Sequence, residues 1–139
     1  LFDTVFIDAP CSGTGTMRRH PEIPWRLTEN DVTTELPKLQ LTMLKEAAAR
    51  VAAGGELIYA TCSVFDEENT QVVDAFLASH EGAGFTVAPL SEAQILQLPE
   101  YDHAKSLVTL RQNPRGLFQS VPVNADSYDG HFCARLVHK

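Results

Sequence analysis

Two cysteines of this 139-residue chain lie just past short apolar runs that predict strands. Cys11 is three residues beyond a β-branched run that ends at Asp8, and Cys62 is two residues beyond the run 56–60. In doubly wound sheets, ligands bind beyond the carboxyl ends of the strands. If the two strands are neighbours, both sulfur atoms and the Asp8 carboxylate should open into one crevice, where a thiolate can act as a nucleophile.

Other interpretations of the two thiols stay open on this pattern alone. A free cysteine is often only a small buried apolar residue, and a redox pair would show the same spacing. No Cys-x-x-Cys pair is present and the five histidines are scattered, so we expect no metal site. The run 12–15, Ser-Gly-Thr-Gly, lacks the Lys-Ser/Thr of a phosphate-binding loop, and no G-x-G-x-x-G occurs.

The helices that must position these thiols follow from apolar periodicity. Apolar residues at three- and four-residue steps predict a helix over 34–53, which the pair Gly54-Gly55 would stop. A second helix is predicted over 66–80, with residues suited to its N-terminus: Ser63 or Asp66 as the cap, then Glu67 and Glu68 near the positive end of its dipole.

Strands are predicted over five apolar or β-branched runs: 4–7, 56–60, 85–90, 117–123 and 131–138. The first run is typical of a strand covered on both faces. The last two should pair antiparallel across the turn-forming cluster 124–130. Residues 20–30 should be irregular, and 91–116 should be a loop with one helical turn at 92–98. This order indicates an α/β fold: a partial Rossmann-like sheet of parallel strands with crossover helices and a C-terminal antiparallel hairpin.

Composition and charge narrow the class of protein. With 44% apolar and 21% charged residues the chain is globular, and no apolar run is long enough to cross a membrane. Three widely spaced cysteines do not form a disulfide framework, which favours a reducing, cytoplasmic location. The net charge is −7, but segment 51–104 carries nine acidic residues and no Lys or Arg. A polyanion should therefore bind elsewhere, near Arg18, Arg19 and Arg26.

Two motifs resemble those of one known enzyme family. Residues 8–15, Asp-Ala-Pro-Cys-Ser-Gly-Thr-Gly, resemble the fourth conserved motif of the Sun (Fmu) family of RNA cytosine-5 methyltransferases, and 60–63, Ala-Thr-Cys-Ser, resemble the sixth. Residues 19–23 with Trp25, 67–69 and 129–132 are similar to further family segments. Pro24 and His131 depart from the family pattern, at a position that is usually basic and at a position that is usually Phe.

The resemblance implies a fold, a reaction and a set of site residues. The fold would be that of an S-adenosylmethionine-dependent methyltransferase. Cys62 would attack carbon 6 of a cytosine, and Cys11 would help to resolve the covalent adduct. Asp8 would contact the base, and Asp8 and Pro10 would contact S-adenosylmethionine. The substrate would be RNA, ribosomal RNA first and transfer RNA second, with its phosphates near the three arginines named above.

The resemblance also implies that residues 1–139 are the C-terminal part of a single methyltransferase catalytic domain. The chain opens inside a predicted core strand, and the family's cofactor-binding half and RNA-binding extension would precede it. We therefore expect this chain alone to be inactive, to bind S-adenosylmethionine weakly or not at all, and to self-associate through an incomplete sheet edge. The alternatives are a Cys-dependent thiol enzyme and a non-catalytic α/β module that binds RNA or protein.

Overall fold

A computed structural model describes residues 1–98, 111–124 and 127–139. Its described part contains one five-stranded sheet, with these strands: β1 (Phe2–Asp8), β2 (Val51–Thr61), β3 (Phe85–Val87), β4 (Phe118–Ser120) and β5 (His131–His138). The order across the sheet is β1-β2-β5-β3, and β4 also pairs with β5.

The described helices are short apart from the crossover between the first two strands. They are α1 (Ile23–Arg26), α2 (Leu36–Ala48), α3 (Thr70–Leu77) and α4 (Glu92–Leu96). A 3₁₀ turn at Thr14–Thr16 follows the loop after β1, and a π-helical turn at Asp31–Glu35 leads directly into α2. None of the described helices is long and apolar enough to span a bilayer.

The pairing of β1 with β2 determines where the two thiols lie. The two strands are parallel and in register at their carboxyl ends, where Asp8 lies opposite Ala60. The other pairs are antiparallel, because β5 runs against β2, β3 and β4. The predicted α/β class and the C-terminal antiparallel pair are confirmed, but in the described part only β1 and β2 pair in parallel.

The prediction that the first strand is covered on both faces is wrong. Within β1 only Ile7 is buried, and Phe6 is 62% exposed. Exposed Phe6 and buried Ile7 lie on opposite faces of the strand, so only one face of β1 is covered in the described structure. An apolar run therefore indicates burial only where packed elements cover both faces of the sheet.

The first long helix ends earlier than predicted. Instead of continuing to residue 53, α2 stops at Ala48, and Val51 is a buried residue of β2 that pairs with Phe2. Gly54 has φ +77°, a conformation that favours glycine, and lies where the β1–β2 register shifts. The glycine pair thus forms a bulge in β2 rather than the stop of a helix.

The second helix is also shorter than predicted, since α3 begins only at Thr70 and ends at Leu77. Residues 66–69 form turns, and neither Ser63 nor Asp66 caps the helix with its side chain. Glu68 lies two residues before the first residue of α3 and is fully buried. Turn geometry, rather than apolar periodicity, decides the structure of this segment.

The remaining elements agree more closely with the predictions. The helical turn expected at 92–98 is α4, and the last two predicted strands are β4 and β5, with β4 reduced to three residues. The predicted strand 85–90 is also reduced, to β3, and the segment 20–30 contains the one-turn helix α1. The rest of the predicted loop at 99–110 and the centre of the turn at 124–130 lie outside the described residues.

One apolar cluster joins the helices to the sheet. Its fully buried members come from α2, α3, β2 and β5: Leu44, Leu57, Tyr59, Val73, Phe76, Ala134 and Leu136. The rings of Tyr59 and Phe132 meet edge to face with centroids 6.2 Å apart. This cluster holds α2 and α3 against the strands whose ends carry the thiols.

Replacing Leu44 by Ala should lower the free energy of unfolding by about 2–5 kcal/mol, because the side chain is 0% exposed and leaves a cavity in the cluster. Leu39→Ala is the matched control on the same helix, and since Leu39 is 46% exposed, its loss should stay below about 1 kcal/mol. Urea unfolding followed by circular dichroism measures both. Equal losses in the two variants would contradict this packing.

Candidate active site

The two predicted thiols lie in contact at the carboxyl ends of β1 and β2. Cys11 Sγ and Cys62 Sγ are 3.4 Å apart, within hydrogen-bond distance, and both residues are half-buried. The backbone joins the same two loops, since Gly15 N donates to Cys62 O at 2.8 Å. The predicted proximity of the two sulfur atoms is confirmed, but the cavity at this place is lined by Cys11 and not by Cys62 or Asp8.

Gly15 fits here because three loops meet at its backbone. Its N–H binds the loop of Cys62, and its carbonyl accepts from Gly130 N at 2.8 Å, in the loop before β5. A Cβ at residue 15 would lie 2.1 Å from Gly130 O, so any side chain would force these loops apart. The glycine after the Pro-Cys motif therefore serves close packing of backbone, not phosphate binding.

The carboxylate of Glu68 links the two cysteine loops from inside the protein. It is fully buried and accepts from Ser12 N at 2.8 Å, from Ser12 Oγ at 2.6 Å, and from Ser63 Oγ. Gln40 Nε2 donates to it at 3.1 Å. Ser12 and Ser63 each directly follow one of the two cysteines, so a single carboxylate binds both loops next to their thiols.

Neighbouring groups hold Glu68 itself in place. The hydroxyl of Tyr59, near the carboxyl end of β2, donates to the Glu68 carbonyl at 2.6 Å. Asn69 accepts from Thr61 Oγ1 at 2.6 Å and donates to Ser63 O at 2.9 Å. The turn between β2 and α3 is thereby tied to the strand that precedes it.

Sequence reasoning missed both Glu68 and Gln40 as site residues. For Gln40 a signal existed: it lies four residues from Leu36 and from Leu44, on the apolar face of α2, where an amide must find partners. Its Nε2 also donates to Pro10 O at 3.0 Å, which holds the loop of Cys11. For Glu68 the sequence offered only a run of acidic residues that is typical of a helix start.

The surroundings of Cys11 hold its proton in place. Burial, together with the hydrogen bond to Cys62, raises the pKa of Cys11 to about 12. Cys11 is therefore a neutral thiol near pH 7, able to donate its proton towards the Cys62 sulfur. Burial also raises the pKa of Cys133, which lies on β5 opposite Ala60. A neutral Cys11 thiol that donates a hydrogen bond to Cys62 stabilises negative charge on the Cys62 sulfur.

A cavity of about 580 Å³ opens beside Cys11. It lies between the first cysteine loop, α1, the π-helical turn and the start of α2, and its walls include Ile23, Arg26 and Leu39. Asp8 and Pro10, the predicted cofactor contacts, are exposed at the carboxyl end of β1. Among the described residues, no group of three or more His, Cys, Asp or Glu side chains could hold a metal ion.

The three arginines predicted to bind RNA do not lie in equivalent surroundings. Arg18 Nε and Arg19 Nη2 each bind a different oxygen of Asp129 at 2.6 Å, and these cations lower the pKa of that carboxyl. These two ion pairs join the loop after β1 to the loop before β5. Arg26 lines the cavity beside Cys11 and lies 3.9 Å from Glu22, one turn away.

Alkylation of Cys11 by iodoacetamide should be slow at pH 7 and rise about tenfold per pH unit up to pH 10, because only the thiolate reacts. In Cys62→Ala the rate at a given pH should increase, since the hydrogen bond to Cys62 helps to raise the pKa of Cys11. Peptide mass spectrometry measures the alkylation of each cysteine separately. Cys133→Ala is the control variant. A plateau of Cys11 alkylation near pH 8 would contradict this assignment.

The comparisons with known proteins agree with this geometry. Residues 1–137 match the family described as 16S rRNA methyltransferase RsmB/F. Ribosomal RNA small subunit methyltransferase B of Salmonella arizonae is 50% identical over 138 residues, which are 99% of this chain and 27% of that protein. The chain spans about a quarter of the length of the curated relatives it matches.

Solved structures share the fold. The protein PH0851 is 35% identical and superposes with a TM-score of 0.74, over 96% of this chain and 26% of that one. A methyltransferase homologue from Pyrococcus horikoshii is 23% identical with a TM-score of 0.66, over 99% of this chain and 39% of that one, and shows the fold alone. The resemblance to Sun-family enzymes is thus confirmed, and the chain belongs to the RsmB/F family of 16S rRNA methyltransferases.

Proposed function

We propose that the intact protein methylates carbon 5 of a cytosine in RNA, with ribosomal RNA as the first candidate substrate. The observation that carries the proposal is the contact of Cys11 with Cys62 at 3.4 Å, at the ends of two paired parallel strands. Membership of a 16S rRNA methyltransferase family supports RNA as the substrate. In this proposal, residues 1–139 are the C-terminal part of one catalytic domain.

Cys62 is the nucleophile of the proposed reaction. Its thiolate adds to carbon 6 of the cytosine, a sulfur–carbon bond forms, and the electron pair of the ring double bond moves to carbon 5. The neutral thiol of Cys11 stabilises the attacking thiolate by donating a hydrogen bond to it. Covalent addition makes carbon 5 nucleophilic enough to accept a methyl group.

Cys11 assists the release of the product. After methylation, carbon 5 loses its proton to water, the ring double bond re-forms, and the sulfur–carbon bond breaks with its electron pair returning to Cys62. A thiol 3.4 Å from that sulfur can donate to the departing thiolate and so favour the elimination. Without it the covalent adduct should persist.

S-adenosylmethionine supplies the methyl group when it is bound, and we assign Asp8 and Pro10 to one wall of its site. These residues fit such a role because they are exposed at the carboxyl end of β1, the edge strand of the described sheet. Asp8 is also proposed to contact the cytosine. Exposed Phe2 and Phe6 on the same strand offer a surface on which further strands of the intact domain can pack.

RNA is proposed to approach along α1. Trp25 is 89% exposed, and its neighbours Ile23 and Arg26 line the cavity beside Cys11. Exposed aromatic rings stack on unpaired bases, and a base must leave its helical stack to enter a site of this kind. Arg26 can hold a phosphate at this cavity, whereas Arg18 and Arg19 bind Asp129.

In the intact enzyme, Cys62→Ala should abolish methyl transfer because the covalent step is lost. Cys11→Ala should instead accumulate a protein–RNA adduct, visible as a band of reduced mobility on a denaturing gel. Cys133→Ala is the matched control, since Cys133 lies on β5 and takes no part in the reaction, and it should transfer methyl groups normally. An adduct in Cys62→Ala, or none in Cys11→Ala, would reverse or remove the assigned roles.

Trp25 is the one tryptophan of the sequence, so its fluorescence reports directly on this face. A single-stranded oligoribonucleotide containing cytosine should quench the emission, and Trp25→Ala should weaken binding about 5- to 100-fold through the loss of one stacked base. Leu96→Ala, which changes an exposed apolar residue on α4, should bind normally. Binding that neither quenches Trp25 nor weakens in Trp25→Ala would rule out RNA contact at α1.

A further inference from the structure

We infer that Glu68 is a positioning residue that sets the distance between the Cys11 and Cys62 thiols. The inference rests on the proposed function, in which the two sulfur atoms act on one cytosine in turn. Glu68 acts through Ser12 and Ser63, the residues that directly follow the two cysteines. It belongs to neither of the two motifs that carry the cysteines.

The hydrogen bonds to Glu68 couple two loops that are far apart in sequence. One carboxylate oxygen accepts from Ser12 N at 2.8 Å and from Gln40 Nε2 at 3.1 Å, and the other from Ser12 Oγ at 2.6 Å and from Ser63 Oγ. Ser12 Oγ and Ser63 Oγ are themselves 3.3 Å apart. Since both loops bind the same group at the residue after each cysteine, neither loop can shift relative to the other without breaking a bond to Glu68.

Burial makes this coupling stiff. Glu68 and Gln40 are both 0% exposed, so bulk water cannot replace a lost hydrogen-bond donor to either side chain. A buried polar group without its partners costs much more than one at the surface. The four donors also require an acceptor at each oxygen, which a carboxylate provides and an amide provides only in part. An arrangement with both loops in place is therefore strongly favoured over one with either loop displaced.

The test uses the chain itself and its own thiols. Diamide, an azo oxidant, takes two electrons and two protons from a pair of thiols and leaves a disulfide and a hydrazine. In Glu68→Gln the rate of Cys11–Cys62 disulfide formation should fall at least about fivefold, because displacement by a fraction of an ångström lowers the effective concentration of the two groups sharply. Glu68→Asp, which keeps the carboxylate, should recover part of the rate. Glu67→Gln, beside it in sequence, is the matched control and should react normally.

Cys133 separates positioning from general loss of structure. It is half-buried on β5, so its alkylation rate rises if the fold opens. We expect that rate to stay unchanged in Glu68→Gln while disulfide formation slows. An unchanged disulfide rate would overturn the inference, and so would a slow rate accompanied by faster alkylation of Cys133. If Glu68→Gln does not fold, Ser63→Ala removes one of the same bonds and is read in the same way.

Turnover in the intact enzyme distinguishes this inference from the proposed function. Glu68→Gln should lower kcat about tenfold and leave KM for RNA within about twofold, because binding contacts are kept while the reacting sulfur atoms are misplaced. The disulfide assay needs neither RNA nor a methyl donor. If Cys62→Ala still transferred methyl groups, the proposed function would fail while the measured thiol positioning by Glu68 would stand.

Discussion

The parallel pairing of β1 and β2 is the constraint on which the site depends. The register places Asp8 opposite Ala60, so both strands end at one edge and each continues into a loop that carries a cysteine. A slip of one residue would move one thiol by about 3.3 Å and turn the side chains of the slipped strand to the other face. Contact between the sulfur atoms therefore requires a single register. The bulge at Gly54 absorbs the extra residues of β2 before this register begins.

Two kinds of interaction hold the cysteine loops in place at the ends of β1 and β2. At Gly15 the backbone of three loops meets in van der Waals contact, which only a residue without a side chain permits. At Glu68 a buried carboxylate binds the residues after both cysteines. The contact at Gly15 excludes other loop arrangements sterically. The hydrogen bonds to Glu68 disfavour them because a displaced loop would leave buried polar groups unpaired. At the surface, the ion pairs of Arg18 and Arg19 with Asp129 also join the loop after β1 to the loop before β5.

Local sequence patterns predicted what depends on local interactions. Apolar runs and the residues that end them placed both thiols at strand ends, and their contact follows from adjacency of the strands. The burial of Glu68 and its contacts with both cysteine loops could not be predicted from local patterns. Its partner Ser12 is 56 residues away in the sequence, and its own neighbours suggest a helix start. The exposure of Phe6 depends in a similar way on distant parts of the chain, because burial of an apolar strand requires elements that pack on both faces of the sheet. The spacing of Val51 predicts a helix through residues 51–53, whereas pairing of Val51 with Phe2 of β1 makes them part of a strand.

The surroundings of Cys11 determine the chemistry that its thiol can perform beside Cys62. Burial and the hydrogen bond to Cys62 raise the pKa of Cys11 to about 12, so its proton stays in place across the physiological range. A nucleophile in that position would be almost wholly protonated and slow. As a donor it is well placed, because a neutral S–H beside a second sulfur favours negative charge there both before attack and on departure from the adduct. In the proposed reaction, the burial that keeps Cys11 protonated suits it to assist Cys62 rather than to attack the base, and this environment of Cys11, rather than the order of the two motifs along the chain, supports its proposed role.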